Sequence, residues 1–279
     1  MTLHLATRRR IITFAVGVFA FVILLIQLYP IIITLVNGFR RDIIILSGQP
    51  FAFEQITTRS YEIVFNNRQF MRAMRNSVLV GLLSTVLSVS VGAMAAYGIS
   101  RFKFMGRNTL AYSFLVFRML PQISLVVALH LLFRSVGLRD TVAGITLAHS
   151  SFNIPYVIWL LIPFFVTVDR SFEEAAMIDG CSRWTTFIQV FIPLARPGLV
   201  VASVFAFINS WNEFLYALIL TGVRTQTAPI AVSGMVGGEV LTWGQMSAAS
   251  TLMLVPVFIF TIKMQRHLIR GISVGGVKG

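Results

Sequence analysis

Long apolar runs separated by short polar segments set the pattern of this chain. Six runs, at about 11–36, 77–99, 110–133, 142–166, 199–220 and 245–262, each come near the roughly 20 residues a helix needs to cross about 30 Å of hydrocarbon. They predict an all-α integral membrane protein with six transmembrane helices. The first run follows Arg8, Arg9 and Arg10, as a secretory leader would. It outlasts the roughly 7–15 residues of a leader's apolar core and no small-x-small site follows, so it is expected to stay as an anchor helix. In the second run Ser84, Ser88, Gly92 and Ala96 recur at every fourth position, a stripe of small residues along which another helix can approach closely. Pro121, Pro155, Pro163 and Pro256 lie inside or near the ends of runs, where neighbours must re-satisfy the carbonyls they free.

Composition agrees: 56% of the 279 residues are hydrophobic and only 12% charged, a balance that excludes a soluble domain of this size. The net charge of +13 would suggest nucleic acid in a soluble chain, but here most of the cations flank apolar runs and set topology instead. With six helices, Arg8 to Arg10, Arg101, Lys103, Arg107, Arg170, Arg183, Arg196, Lys263, Arg266, Arg270 and Lys278 fall on one side. The other side's short loops hold only Arg134, Arg139 and Arg224, although the first external loop, about 37–76, carries six more arginines. The expected orientation is N-in and C-in, in a multi-pass protein of the cytoplasmic membrane. A single cysteine, Cys181, excludes an internal disulfide and a Cys-based zinc site, and the four histidines show no ligand spacing. No Gly-x-x-x-x-Gly-Lys is present, so any ATP is handled by another chain.

Between the fourth and fifth runs, 169–198 is far less apolar than its surroundings. Ser171 and Glu174 stand at capping-box spacing, and Gly180 supplies a C-terminal stop. Ser182 caps a second helix, which Pro193 is expected to end. The predicted product is a helical hairpin on the cytoplasmic face, a docking surface rather than a linker.

The residues Glu174-Ala175-Ala176, Asp179-Gly180 and, after nine more, Val190-x-Ile192-Pro193 resemble the EAA loop of ABC importer permeases, with Val190 and Ile192 in place of the usual Ile and Leu. Asn76-Ser77, Arg101-Phe102, Trp211-Asn212-Glu213-Phe214 and the 275–279 terminus are similar to the carbohydrate-uptake branch, specifically the maltose-type second permease subunit. The resemblance covers essentially the full chain as one permease domain of the type I importer fold. It implies a second homologous permease subunit, two copies of an ABC ATPase subunit that uses ATP and Mg, and an extracytoplasmic solute-binding protein; this chain itself would bind no cofactor and no metal. It further implies that Glu173, Glu174, Ala175, Ala176, Asp179, Gly180 and Pro193 form the ATPase-coupling hairpin, and that a tail with Gly275, Gly276 and Lys278 enters the ATPase interface. By composition alone, 271–279 would be a disordered tail.

Polar residues within the runs leave alternatives open. Asn209, Asn212, Glu213 and Tyr216 share one face if the fifth helix is continuous, and either line a translocation pathway or glue the bundle. Arg118, well inside the third run, either pairs with Glu213 or with a residue of the partner permease, or meets a polar or anionic solute. His149 and Asn153 are expected to satisfy backbone freed by Pro155, with Asn153 also a pathway candidate. The function implied is import of a carbohydrate or sugar-like solute, a di- or oligosaccharide or a glycerol-phosphate ester, by alternating access. A polytopic membrane enzyme would need a Ser/His, His/carboxylate or metal constellation, and a self-contained secondary transporter would need internal repeats and mid-membrane carboxylates. Neither pattern stands in the sequence.

Overall fold

The computed structural model describes residues 2–48, 56–235 and 242–275, with side chains over 12–48, 56–235 and 242–264. In chain order the helices are α1 (Thr2–Asn37), α2 (Asp42–Leu46), α3 (Arg59–Asn66), α4 (Arg68–Arg101), α5 (Arg107–Met119), α6 (Gln122–Ser135), α7 (Val142–Thr167), α8 (Ser171–Ile178), α9 (Arg183–Thr185), a π-helical stretch (Thr186–Phe191), α10 (Ile192–Leu194), α11 (Arg196–Trp211), α12 (Leu215–Leu220), α13 (Ala228–Gly234) and α14 (Trp243–Gly275). Among the described residues there is no strand. Among the described residues four helices are long and apolar enough to cross a membrane: Ile12–Asn37 within α1, α4, α7 and Trp243–Met264 within α14. Two bent pairs raise the number to six if each is one span.

Contacts divide the chain into two units, Met1–Asn67 with Gly234–Met253, and Arg68–Ser233 with Leu254–Gly279. In the first, Phe39 packs on Tyr61 with ring centroids 4.5 Å apart, and the Asp42 carboxylate accepts the Gly244 N–H at 2.7 Å. The second holds the candidate sites. Its core joins α4, α7, the hairpin and α11 through Ala93, Ala96, Val157, Leu161, Phe165, Phe191 and Ala202, all buried. The small-residue stripe lies in this seam: a Cβ on Gly92 would stand 2.5 Å from Val157 Cγ1, so glycine is what admits α7.

Several expected boundaries move. α4 begins at Arg68, not near Ser77, because Phe70, Ala73, Asn76, Ser77 and Val80 form a buried stripe while Arg68, Arg72 and Arg75 face outward. The third run is not one rod. α5 and α6 meet at 91°, since Leu120 before Pro121 adopts extended geometry and Pro121 has no N–H to continue the ladder. The fifth run also breaks, at 212–214, for a reason given below. Pro193 does not end its helix: it follows a π turn in which Ile192 N–H bonds the Phe187 carbonyl, and it occupies the first turn of α10, where a missing N–H costs little. The chain bends instead at Ala195, by 79°. At the far end α14 remains helical through Gly275, so 271–275 is not irregular; Gly276 and Lys278 lie outside the described residues.

Candidate functional site

Glu213 explains the break after α11. Its two carboxylate oxygens accept the backbone N–H groups of Tyr216 at 2.8 Å and Ala217 at 3.0 Å, bonds that a continuous helix would direct to the carbonyls of residues 212 and 213. A side chain thus replaces the ladder, and the anion sits at the positive end of α12. Oε2 also lies 3.4 Å from Nε2 of His149, a close approach without an aligned hydrogen bond. His149 Nδ1 meets Ser210 Oγ at 2.6 Å, and Ser210 Oγ lies 3.0 Å from Ser84 Oγ. The set is satisfied when Ser210 donates to Nδ1 and Nε2 carries the proton facing Glu213. A buried polar chain therefore runs from α4 through α11 and α7 to the start of α12.

This chain backs a cavity of about 420 Å³ lined by Phe117, Arg118, Gln122, Ser151, Phe152, Asn209, Asn212, Glu213, Phe214 and Tyr216, among others. Four residues expected on one helical face, Asn209, Asn212, Glu213 and Tyr216, do share this cavity, but across a broken helix. Asn153 stands behind the wall, fully buried, donating to the Ala206 carbonyl at 3.1 Å and lying 3.4 Å from Asn209. Neither it nor His149 serves the backbone freed by Pro155; both reach across to α11. Of the alternatives open for Arg118, the pair with Glu213 is not formed. Glu213 is turned to α12 and His149, while the Arg118 guanidinium lies 4.1 Å from the centroid of the Tyr156 ring.

The hairpin is fastened to the C-terminal end of α4. Arg101 Nε approaches Glu173 Oε1 at 2.6 Å with both side chains below one-tenth exposed, Tyr97 donates to the same carboxylate at 2.6 Å, and Arg101 also donates to the Val168 carbonyl at 2.7 Å. Glu173 therefore points inward, whereas Glu174 is exposed. The first helix starts one residue earlier than the capping-box spacing suggests. Arg170 is its N-cap position, and Asp169, rather than Ser171, supplies the side-chain acceptor, taking the Ser171 N–H at 3.0 Å. That backbone donor, with the Ser171 side chain, holds the Asp169 carboxyl below its ordinary pKa. Gly180 ends the helix at φ +89°, with Cys181 N–H on the Ala176 carbonyl and Gly180 N–H on Met177, the paired bonds of a Schellman stop. Ser182 caps the second helix by accepting the Thr185 N–H at 3.1 Å. Phe172, Met177, Ile178 and Trp184 remain exposed, Ile178 at 86%.

A third cluster ties down 221–228. Asp140, itself at φ +55°, takes the Gly222 N–H at 2.8 Å and the Thr225 hydroxyl at 2.7 Å. Burial alone would raise its carboxyl pKa, but these donors outweigh burial and lower it. Asn76 donates to the carbonyls of Arg224 and Gln226, and Ser77 accepts the Ala228 N–H. In the sequence, Asn76-Ser77 stands out only through the family resemblance and Asp140 carries no signal.

The family described as binding-protein-dependent transport system inner membrane component matches residues 88–274. The chain belongs to this family. It is accordingly a multi-pass inner-membrane permease component of an ABC import system, with ATP hydrolysis left to a separate subunit. This permease is 37% identical over 80% of its length to the trehalose transport system permease protein SugB of Mycobacterium tuberculosis, covering 83% of that protein. It is 32% identical to the trehalose/maltose transport system permease protein MalG of Thermococcus litoralis, across 93% of this chain and 95% of the relative. Its fold matches that of a chain in the crystal structure of a bacterial ABC transporter for import of the acidic polysaccharide alginate, with TM-score 0.76, 21% identity, and 93% and 97% of the two chains covered.

Proposed function

We propose that this permease imports a carbohydrate or sugar-like solute, a di- or oligosaccharide or a glycerol-phosphate ester, by alternating access in a complex with a second permease, two ATPase subunits and an external solute-binding protein. The observation that carries the solute class is the cavity. Its amides Asn209, Asn212 and Gln122 and the Ser151 hydroxyl suit sugar hydroxyls, while Phe117, Phe152 and Phe214 offer flat apolar faces for C–H surfaces. The trehalose and trehalose/maltose relatives support the same class.

The hairpin is the proposed ATPase dock, with Gly180 setting its bend, Glu174 facing the partner and Ile178 and Trp184 as apolar anchors. Because these contacts would differ between ATP-bound and ATP-free ATPase dimers, they bias the permease toward one orientation or the other. The tail beyond Gly275 is proposed to reach the ATPase interface, and the hairpin side is assigned to the cytoplasm. Co-purification tests the reading. Ile178→Asp should deplete the ATPase from the purified complex and abolish ATP-driven solute uptake, while an undiminished ATPase content would refute the dock.

A further inference from the structure

The cavity carries an unbalanced positive charge, and this deepens the carbohydrate reading on which it rests. Among the described residues Glu213 is the one carboxylate lining it. Both of its oxygens are occupied by the N–H groups of Tyr216 and Ala217, one of them also faces His149, and the side chain is only 8% exposed. Its charge is spent within the protein. Arg118, by contrast, is exposed to the cavity, and among the described residues no carboxylate pairs with it. The Tyr156 ring and its hydroxyl hold the guanidinium from one side, and among the described residues its remaining N–H donors have no partner. In a membrane-spanning region such a cation needs a counter-charge, and this chain's own carboxylate is not available to provide it.

We propose that Arg118 reads an anionic substituent, a carboxylate, phosphate or sulfonate, on the transported sugar, with Asn209 and Asn212 facing the neutral hydroxyls. The planar fork of arginine matches the paired oxygens of all three groups, which share this chemistry. A neutral disaccharide would leave the guanidinium uncompensated and would be disfavoured at this step, whatever the binding protein accepts.

The test uses the complete importer, with its second permease and ATPases, in lipid nanodiscs without nucleotide. The solute-binding protein is omitted so that its own selectivity does not enter. Equilibrium retention is measured for a radiolabelled disaccharide containing one glucuronic acid and for the same disaccharide as its neutral carboxamide. The wild type should retain the acid at least about tenfold more tightly. Arg118→Gln should bring that ratio near one, and Arg118→Lys should leave an intermediate ratio, since an ammonium is a point charge without the fork. Equal retention of acid and amide by the wild type, retention of neither included, overturns the proposal, as does a ratio that survives Arg118→Gln. If Arg118→Gln does not assemble, an unchanged ratio in Arg118→Lys overturns it equally. ATP-driven uptake of a neutral disaccharide by a complex that shows no preference for the acid sinks this proposal alone, whereas a purified complex lacking an ATPase sinks the importer reading beneath it.

Discussion

Gly180 shows how one backbone angle controls a surface. At φ +89° an L side chain is strained by about 1–2 kcal/mol, and nothing lies within 4 Å of a Cβ built there, so the penalty is conformational rather than a clash. Gly180→Val should therefore lower coupled ATP turnover while Gly180→Asn, which tolerates the left-handed region, retains most of it; equal turnover in both would count against the bend. Its role was legible because glycine at a helix end has few other uses. The adjacent glutamates were not so legible: composition and spacing cannot say that Glu173 turns inward to Arg101 while Glu174 faces out, since that depends on where the end of α4 lies. Asp140 gives a pH-dependent case. Its carboxyl pKa is lowered in the folded protein, so it contributes stability that is complete above the ordinary value near 3.9 and is lost as pH falls through the lower folded value. Asp140→Asn removes the charge but keeps an acceptor, and should cost about 1 kcal/mol at neutral pH and flatten the acid limb of the thermal-stability profile.

At the scale of elements, periodicity identified the apolar runs but not their breaks. A run of about 24 residues at 110–133 predicts one span, yet one extended residue before Pro121 is enough to turn the axis by 91°. In the 199–220 run a carboxylate, not a proline, interrupts the ladder. Glu213→Gln keeps one acceptor at the start of α12 and loses the anion at its positive end, an expected loss of roughly 0.5–2 kcal/mol. Adding Arg118→Gln should give no recovery, because the two do not pair; a rescue in thermal unfolding of the double variant would restore the ion-pair reading. The small-residue stripe, by contrast, was readable because close packing demands small side chains whatever their partner. Gly92→Ala pits a helix-propensity gain of up to about 1 kcal/mol against a methyl placed 2.5 Å from the fully buried, β-branched Val157, which has little room to yield. The clash should win, and the yield of monodisperse protein should fall.

For the whole molecule, the decisive question is what receives the ATPase stroke. A hairpin joined to the bundle only by its chain ends would flex, but here it carries its own lateral fastening. Arg101, at the last turn of α4, holds Glu173 in the hairpin, Val168 at its entry and the face of Phe191 in its second helix. Arg170 returns the connection by donating to the Ser100 and Arg101 carbonyls at the negative end of α4. On the proposed coupling, displacement of the hairpin therefore moves α4, and α4 packs along α7 and α11, which also contribute walls of the cavity. Glu173→Gln leaves the nearly buried Arg101 without its anion, a loss of about 3–5 kcal/mol if the pair acts as a fully buried one. The exposed anchors Ile178 and Trp184 are untouched by that change, so the ATPase should still co-purify. What should fail is transmission: basal ATP hydrolysis persists while its stimulation by loaded binding protein, and solute uptake with it, drop together. Loss of the ATPase from the complex would instead make Glu173 part of the dock, and full stimulation in Glu173→Gln would show that the stroke reaches the bundle by another route.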